Sequence, residues 1–540
     1  MRPSRASFPL GWLNAPALAL VVAAVACGGG GSGGNGGAGG SGDAGGGNDG
    51  GGGGSDGGGG DGGGGGGGDG GQGSTDGGGV GTGLFRHGIN MGDPNPNFTD
   101  NDDGLLATQS GADSNRIKLP EYFLAQWGAG VRTDAAMSYF TNGMSALVCF
   151  LIGPTQAHST APAGSSDSTL EQYIPTNLDE PIFNADGTVN PNNYWAAYVS
   201  EVVTTYSPWI HIWEVWNEPD WVSDYSITQG WATAAPTASD LPRFNGTIFD
   251  YIRMLRITTE VAKKIDPTAQ IALGGIGYPN FLSAIVRYTD NPADGSVTTD
   301  YPSKGGAYFD VMNFHYYPLY TPGNSDAAVA GFLSLKSQFA AVLSAAGVTG
   351  KTYNATETGA PRYAVGGMPG GDDYAKNYIM KVMVSAQTAG MIGVDWFDLS
   401  DSAAEGASTS SYDYMGLYDD ISTLTATSQA TRTDTGTAYL TLGTLLKGAR
   451  ADAAGTTSLA LPANVSGGTF MTDDGHEAYA LWATDTADEA ASASYVLAST
   501  SGVVAYAWDF SSSHAMQTMM PTNGKVTLAL TASVQIFIQQ

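Results

Sequence analysis

The stretch Ile248-Phe249-Asp250-Tyr251-Ile252-Arg253-Met254-Leu255-Arg256-Ile257-Thr258-Thr259-Glu260-Val261-Ala262-Lys263-Lys264-Ile265-Asp266-Pro267 decides how the chain is read. Ile248, Tyr251, Leu255, Thr258, Val261 and Ile265 recur at spacings of three and four, while Arg253, Arg256, Glu260, Lys263 and Lys264 fill other positions. That period predicts an amphipathic helix whose apolar stripe faces a core. Asp266-Pro267 ends it, because proline restricts the residue before it and cannot continue the hydrogen-bond ladder. Short apolar runs of strand length, Trp209 to Trp216 and Gln270 to Ile276, lie on either side.

The same alternation extends outward from Leu84 to about Arg450. The other predicted strands are Leu84 to Met91, Gly130 to Asp134, Ser145 to Gly153, Phe309 to Tyr316, Thr352 to Glu357 and Met391 to Phe397. The other predicted helices are Leu119 to Gly128, Ser138 to Asn142, Tyr194 to Tyr206, Phe281 to Tyr288, Val329 to Ala346, Tyr374 to Thr388 and Ala438 to Lys447. Eight strands alternating with eight helices predict an α/β fold, a (β/α)8 or TIM barrel over residues 84–450. An open doubly wound sheet is the alternative. Its glycine-rich phosphate loop is missing after the first strand, where His87-Gly88-Ile89-Asn90-Met91 presents side chains instead. The stretch from Asp93 to Ser114 reads as free of helix, and it and residues 153–190 are long enough to cover or narrow a cleft. After Arg450 the helical period stops. Glu477 to Thr484, Val503 to Phe510, Lys525 to Leu530 and Ser533 to Ile538 predict a β-sandwich over 451–540 without helices between the strands. It is either a separate binding module or a partner packed on the barrel.

Residues 28–83 contain 38 glycines, too little apolar surface to offset the entropy of ordering, and predict a disordered tether. Before it, Arg2 and Arg5, an apolar run from Ala15 to Ala26 and then Cys27 have the order of an export signal. Residues 1–27 resemble a bacterial lipoprotein signal, which implies that Cys27 is lipidated and anchors the protein to a bilayer at the outer membrane or cell surface. Ala24 stands where that pattern prefers a larger aliphatic residue, so cleavage and secretion is the competing expectation. Cys149, in an apolar run, is expected to be a core residue. A net charge of -29 argues against nucleic acid or an anionic membrane surface as partner.

Two acids end predicted strands: Glu218 in Trp216-Asn217-Glu218-Pro219 after strand four, and Glu357 in Ala355-Thr356-Glu357-Thr358-Gly359 at strand seven. A barrel's C-terminal rim is where side chains reach a ligand. Two carboxyls facing across it can cleave a glycosidic bond, one protonating the leaving oxygen and the other attacking the sugar carbon. His315 and Tyr317 can donate hydrogen bonds to a nucleophilic carboxylate, and aromatic faces suit the apolar faces of sugar rings. Trp396 is expected to touch substrate, and Trp213, on the other parity from Glu214, to lie in the core. Glu214, deeper on the same strand as Glu218, is expected to pair with an arginine inside the barrel. Asp310, Asp398 and Asp401 are expected to be loop or support groups.

On these motifs the chain resembles glycoside hydrolase clan A, the 4/7 superfamily, over about Leu84 to Lys447. The added sandwich is similar to family 39, and the Thr-Glu-Thr-Gly context is similar to family 5. The resemblance implies a retaining β-glycoside hydrolase acting on polysaccharide or oligosaccharide, with Glu218 as general acid/base and Glu357 as nucleophile. It further implies that Asn217 bonds the sugar 2-hydroxyl, that Arg132 is the rim arginine after strand two, that His315 or Tyr317 flanks the nucleophile, and that Trp396 is the sugar platform. Glu218 should then hold its proton unusually tightly. A non-catalytic carbohydrate-binding protein on a hydrolase-like barrel is the alternative, and a wall-associated protein that binds through the sandwich is a third. No cofactor is implied. Zinc is not expected, since only His87 and His315 lie near predicted rims and no His-x-x-x-His spacing occurs.

Overall fold

Eight parallel strands close on themselves in chain order: β1 (Arg86–Asn90), β2 (Ser114–Lys118), β3 (Leu147–Leu151), β4 (Ile210–Val215), β5 (Gln270–Leu273), β6 (Val311–Tyr316), β7 (Thr352–Thr358) and β8 (Gly393–Phe397). β8 pairs back onto β1 in parallel, and helices follow the strands as in a (β/α)8 barrel. The computed structural model describes residues 84–540 apart from 92–94, 96, 321–322 and 486. The expected signal with Cys27 and the tether 28–83 lie outside the described residues. The helix Ile248–Ile265 has its predicted bounds, with Thr247 and Asp250 forming a reciprocal capping box at its start.

One strand departs from expectation. The Gly130 to Asp134 segment is a turn leading into the helix Thr133–Thr141. The second strand is Ser114–Lys118, and the stretch before it, expected to lack helix, carries the helix Asp100–Gln109 capped by Thr99. The reason is compositional. Ser114-Asn115-Arg116-Ile117-Lys118 has one apolar residue, so its strand character comes from pairing with β1 and β3 around a polar barrel interior and not from alternation. Tight packing inside is set at Gly88 of β1, where an added Cβ would lie 1.5 Å from Asp395 Oδ1 of β8.

The C-terminal region has eight strands: β9 (Arg450–Asp452), β10 (Val465–Met471), β11 (Glu477–Ala483), β12 (Ser492–Ala498), β13 (Val503–Tyr506), β14 (Met516–Met519), β15 (Lys525–Thr531) and β16 (Gln535–Gln539). Six form one sheet in the order β14-β13-β16-β11-β10-β9, and β12 pairs with β15 in a second. Strands β9, β10, β12 and β14 were not expected, nor were the short helices Ala453–Ser458 and Phe510–Ser513. β15 shows the two-residue period plainly: Val526, Leu528 and Leu530 are buried and the residues between them are exposed. Those three pack with Tyr479, Leu481 and Phe537 between the sheets.

The other face of the six-stranded sheet joins the barrel core through Phe470, Ala478, Ala480, Trp482 and Ile536. β11 is therefore buried on both faces, which explains its unbroken apolar run. Polar contacts lock the seam: Trp482 Nε1 donates to Asp326 Oδ1 at 2.8 Å, and Glu489 accepts from Ser325 N, Ser325 Oγ and Asn377 Nδ2 at 2.6, 2.7 and 2.7 Å. The sandwich is a packed partner of the barrel. Glu489→Ala strands those three donors and should lower stability by about 1–3 kcal/mol, read as a lower urea midpoint with unchanged slope.

Candidate active site

β2 points Arg116 into the barrel. Its Nε and Nη2 donate to the two oxygens of Glu214, each at 2.8 Å, its Nη2 to Asn217 Oδ1 at 2.7 Å and its Nη1 to Glu357 Oε1 at 2.5 Å. The guanidinium also lies 4.0 Å from the Phe150 ring centroid. Burial pulls against its charge, but Glu214 and Glu357 outweigh that and hold Arg116 above the usual arginine range. Glu214 is fully buried, and burial raises its proton affinity despite Arg116. Glu214 is thus the interior ion-pair partner that its depth predicted.

Glu357 is brought opposite His315 by a register shift in β7 after Ala355. Its Oε2 accepts from the Tyr317 hydroxyl at 2.7 Å, and its Oε1 from Asn90 Nδ2 at 3.2 Å as well as from Arg116. His315 Nδ1 lies 3.1 Å from Glu218 Oε1 and 3.5 Å from Glu357 Oε2, and its Nε2 lies 3.0 Å from Thr356 Oγ1. Thr356 Oγ1 donates to Glu214 Oε1 at 3.3 Å, so both ring nitrogens of His315 face acceptors. Burial disfavours the imidazolium, but Glu357 and Glu218 outweigh it and raise the His315 pKa. The ring fits only because residue 275 is glycine: φ there is +60°, and a Cβ would meet His315 Nε2 at 2.0 Å.

Past β4 the chain turns through positive φ at Trp216 (75°) and Glu218 (47°). Glu218 N donates to Gly274 O at 2.6 Å, which fixes the acid at the rim. One of its oxygens faces His315, and the other is paired by Arg243 Nη1. Burial favours the neutral acid, but the His315 hydrogen bond and the Arg243 charge prevail and bring Glu218 down to about 2. The expected tight hold on a proton is absent here. The sequence carried no sign of Arg243, a loop residue contributing a cation beside the acid.

A carboxylate oxygen from each of Glu218 and Glu357 and a ring nitrogen of His315 lie within 4.8 Å of one another. Three such atoms could ligate a cation. The guanidiniums of Arg116 and Arg243 already bond these carboxylates, and the added positive charge would be opposed, so the donor set fits an acid pair and not a metal.

The structure brings together Glu218, Glu357, Asn217, His315 and Tyr317 as expected. Arg132 is not with them. It lies at the start of the helix Thr133–Thr141, its N–H bonded to Tyr206 Oη at 2.8 Å, and Arg116 bonds the carboxylates because β2 is the earlier segment. Trp396 is fully buried, donates from Nε1 to Met415 O at 2.7 Å and packs near Tyr378. Strand parity explains this correction: Asp395 faces Gly88 inside the barrel, so Trp396 faces the helices. At the mouth stands half-buried Phe397, with Tyr317 and Tyr412 at 6.1 and 6.2 Å and those two tyrosines 4.9 Å apart. Trp213 is a core residue. Asp310 and Asp401 are support groups, paired with Lys263 and Arg362. Asn90, Arg116, Arg243 and Tyr412 were missed. An arginine amid polar residues in a short segment was the one available signal, at Arg116.

No family model matches the chain, and no curated protein sequence matches it. Its fold is similar to that of a family 39 glycoside hydrolase from Bacteroides cellulosilyticus WH2, with TM-score 0.56 at 14% identity over 85% of this chain and 82% of that one. A glycoside hydrolase family 30 subfamily 8 xylanase from Clostridium acetobutylicum aligns with TM-score 0.49 at 14% identity over 84% and 96%. A family 30 xylanase C from Talaromyces cellulolyticus aligns with TM-score 0.49 at 12% identity over 85% and 98%. At these identities the likeness is one of fold.

Arg116→Met should destabilise the protein by about 3–5 kcal/mol, because it leaves Glu214 buried without its counter-charge. Adding Glu214→Gln should restore part of that loss. Urea unfolding of the single and double variants measures both, and a double variant no more stable than the single would contradict this account of the cost.

Proposed function

We propose that the protein is a retaining β-glycoside hydrolase acting on polysaccharide or oligosaccharide. The observation that carries this reading is the spacing of two carboxylates at the barrel rim, with oxygens within 4.8 Å and a histidine between them. Retaining enzymes need carboxyls about 5–5.5 Å apart, close enough for one to attack while the other serves the leaving group. Glu357, held by Arg116, Asn90 and Tyr317, is the nucleophile. Its oxygen attacks the anomeric carbon as the bond to the leaving oxygen breaks, and Glu218 gives that oxygen its proton. Glu218 then takes a proton from water, which attacks the same carbon and releases Glu357. Asn217 has its carbonyl oxygen occupied by Arg116, which leaves its amide N–H groups for a sugar hydroxyl. Phe397 and Tyr412 offer faces for the ring. The similarity in fold to a family 39 glycoside hydrolase is consistent with this chemistry.

Rescue stereochemistry tests the roles. Glu357→Gly should be inactive, and azide in the vacated space should attack an activated β-glycoside directly to give the α-glycosyl azide. Glu218→Ala should still form the glycosyl enzyme from a substrate with a good leaving group, and azide should release it as the β-glycosyl azide after two inversions. Proton NMR of the products reads the anomer. The opposite pairing would exchange the two roles, and an inverted first product from the wild type would remove the retaining mechanism.

We further propose that lipidated Cys27 anchors the protein to a membrane by the lipoprotein-like segment before it. Intact protein should enter the detergent phase on partitioning, whereas Cys27→Ser should stay in the aqueous phase. Equal partitioning of the two would contradict the anchor.

A further inference from the structure

On the glycosidase reading Glu218 must carry a proton at the moment of cleavage, yet here each of its oxygens faces a nitrogen, the Arg243 guanidinium Nη1 on one and the His315 ring Nδ1 on the other. The other titratable groups facing it are Arg116 from β2, Glu357 from β7, Tyr317 after β6, Asp220 on its own loop, Tyr278 after β5 and Tyr412 after β8. Arg116 and His315 are buried and shared with Glu357 and Glu214. Arg243 differs, because its side chain is 31% exposed and its guanidinium lies 4.3 Å from the Trp221 ring centroid. Its backbone is pinned, the carbonyl accepting from Trp216 Nε1 at 2.8 Å. A cation fixed at its root and stacked on an aromatic ring at the mouth can leave a carboxylate without moving the loop.

We propose that Arg243 is a positioning residue that neutralises Glu218 between turnovers and is drawn off it by the sugar on the leaving-group side, so that Glu218 becomes a proton donor only with substrate in place. As the guanidinium leaves, Glu218 takes a proton from solvent, which it later gives to the leaving oxygen. Removing a nearby cation favours the neutral acid, and the low proton affinity of the paired state agrees with this.

The test compares wild type, Arg243→Gln and Arg243→Lys on an aryl β-glycoside that the wild type cleaves. Loss of the cation raises the proton affinity of Glu218, so its protonated form persists to higher pH. In Arg243→Gln the basic limb of kcat/KM, which reports the free enzyme, should move up by about one pH unit or more. The basic limb of kcat should move much less, since Arg243 has already left in the complex, and Arg243→Lys should keep the wild-type kcat/KM limb. An unmoved kcat/KM limb in Arg243→Gln, or equal movement in kcat, would overturn the proposal. A second measurement needs no turnover: carbon-13 NMR titration of labelled glutamate carboxyls, with Glu218 identified by its loss in Glu218→Gln. An upward shift in Arg243→Gln supports the coupling and no shift overturns it. A shifted titration in protein that cleaves no glycoside would overturn the glycosidase reading and the substrate's part in the exchange, while the Arg243–Glu218 coupling stood.

Discussion

The barrel is organised around one buried ion pair, Arg116 with Glu214. Two opposite charges inside a protein repay their lost hydration only when geometry is good and the remaining donors and acceptors are used. Here Arg116 spends its donors on Glu214, Asn217 and Glu357, so a guanidinium on β2 ties β4, the loop after it and β7 together. Asn313 adds a neutral layer at the same depth, donating to Leu273 O at 2.9 Å and to Thr356 Oγ1 at 2.7 Å. The interior is polar because the rim above it must hold acids in place, and each carboxylate that reaches the rim leans on a donor below or beside it.

That polar interior also explains what could be read in advance. Strands buried against the helices, such as β3 and β4, announce themselves through runs like Leu147 to Leu151. β2 carries Asn115, Arg116 and Lys118 and looks like loop, because its stability comes from partners distant in sequence. Losing β2 moved the expected rim arginine to Arg132. Glu218, Glu357, Asn217, His315 and Tyr317 were legible because motif and strand end coincide. Trp396 was misassigned by one step of strand parity, which composition alone does not fix. Arg243, from a loop, and Tyr412, from the short 3-10 helix Ser411–Tyr414 after β8, reach the mouth by connections whose course no local pattern encodes.

The site is also a lesson in how few charges set its state. Three acids, Glu214, Glu218 and Glu357, face Arg116, Arg243 and the imidazole of His315. A proton that arrives at Glu218 competes with Arg243 for the carboxylate, and Arg243 is the partly exposed member of the group. The overall charge of the chain says nothing of this local pairing.

β16 has a consequence for the order in which the molecule can be completed. It lies between β13 and β11 at the middle of the six-stranded sheet, with Ile536 in the core shared with the barrel and Phe537 in the core of the sandwich. It follows every other described strand in the chain. β10 and β11 supply Phe470, Ala480 and Trp482 to the barrel's apolar flank, but the sheet that carries them closes only when β16 inserts between β11 and β13, so loss of β16 would open the centre of the cover and not its fringe.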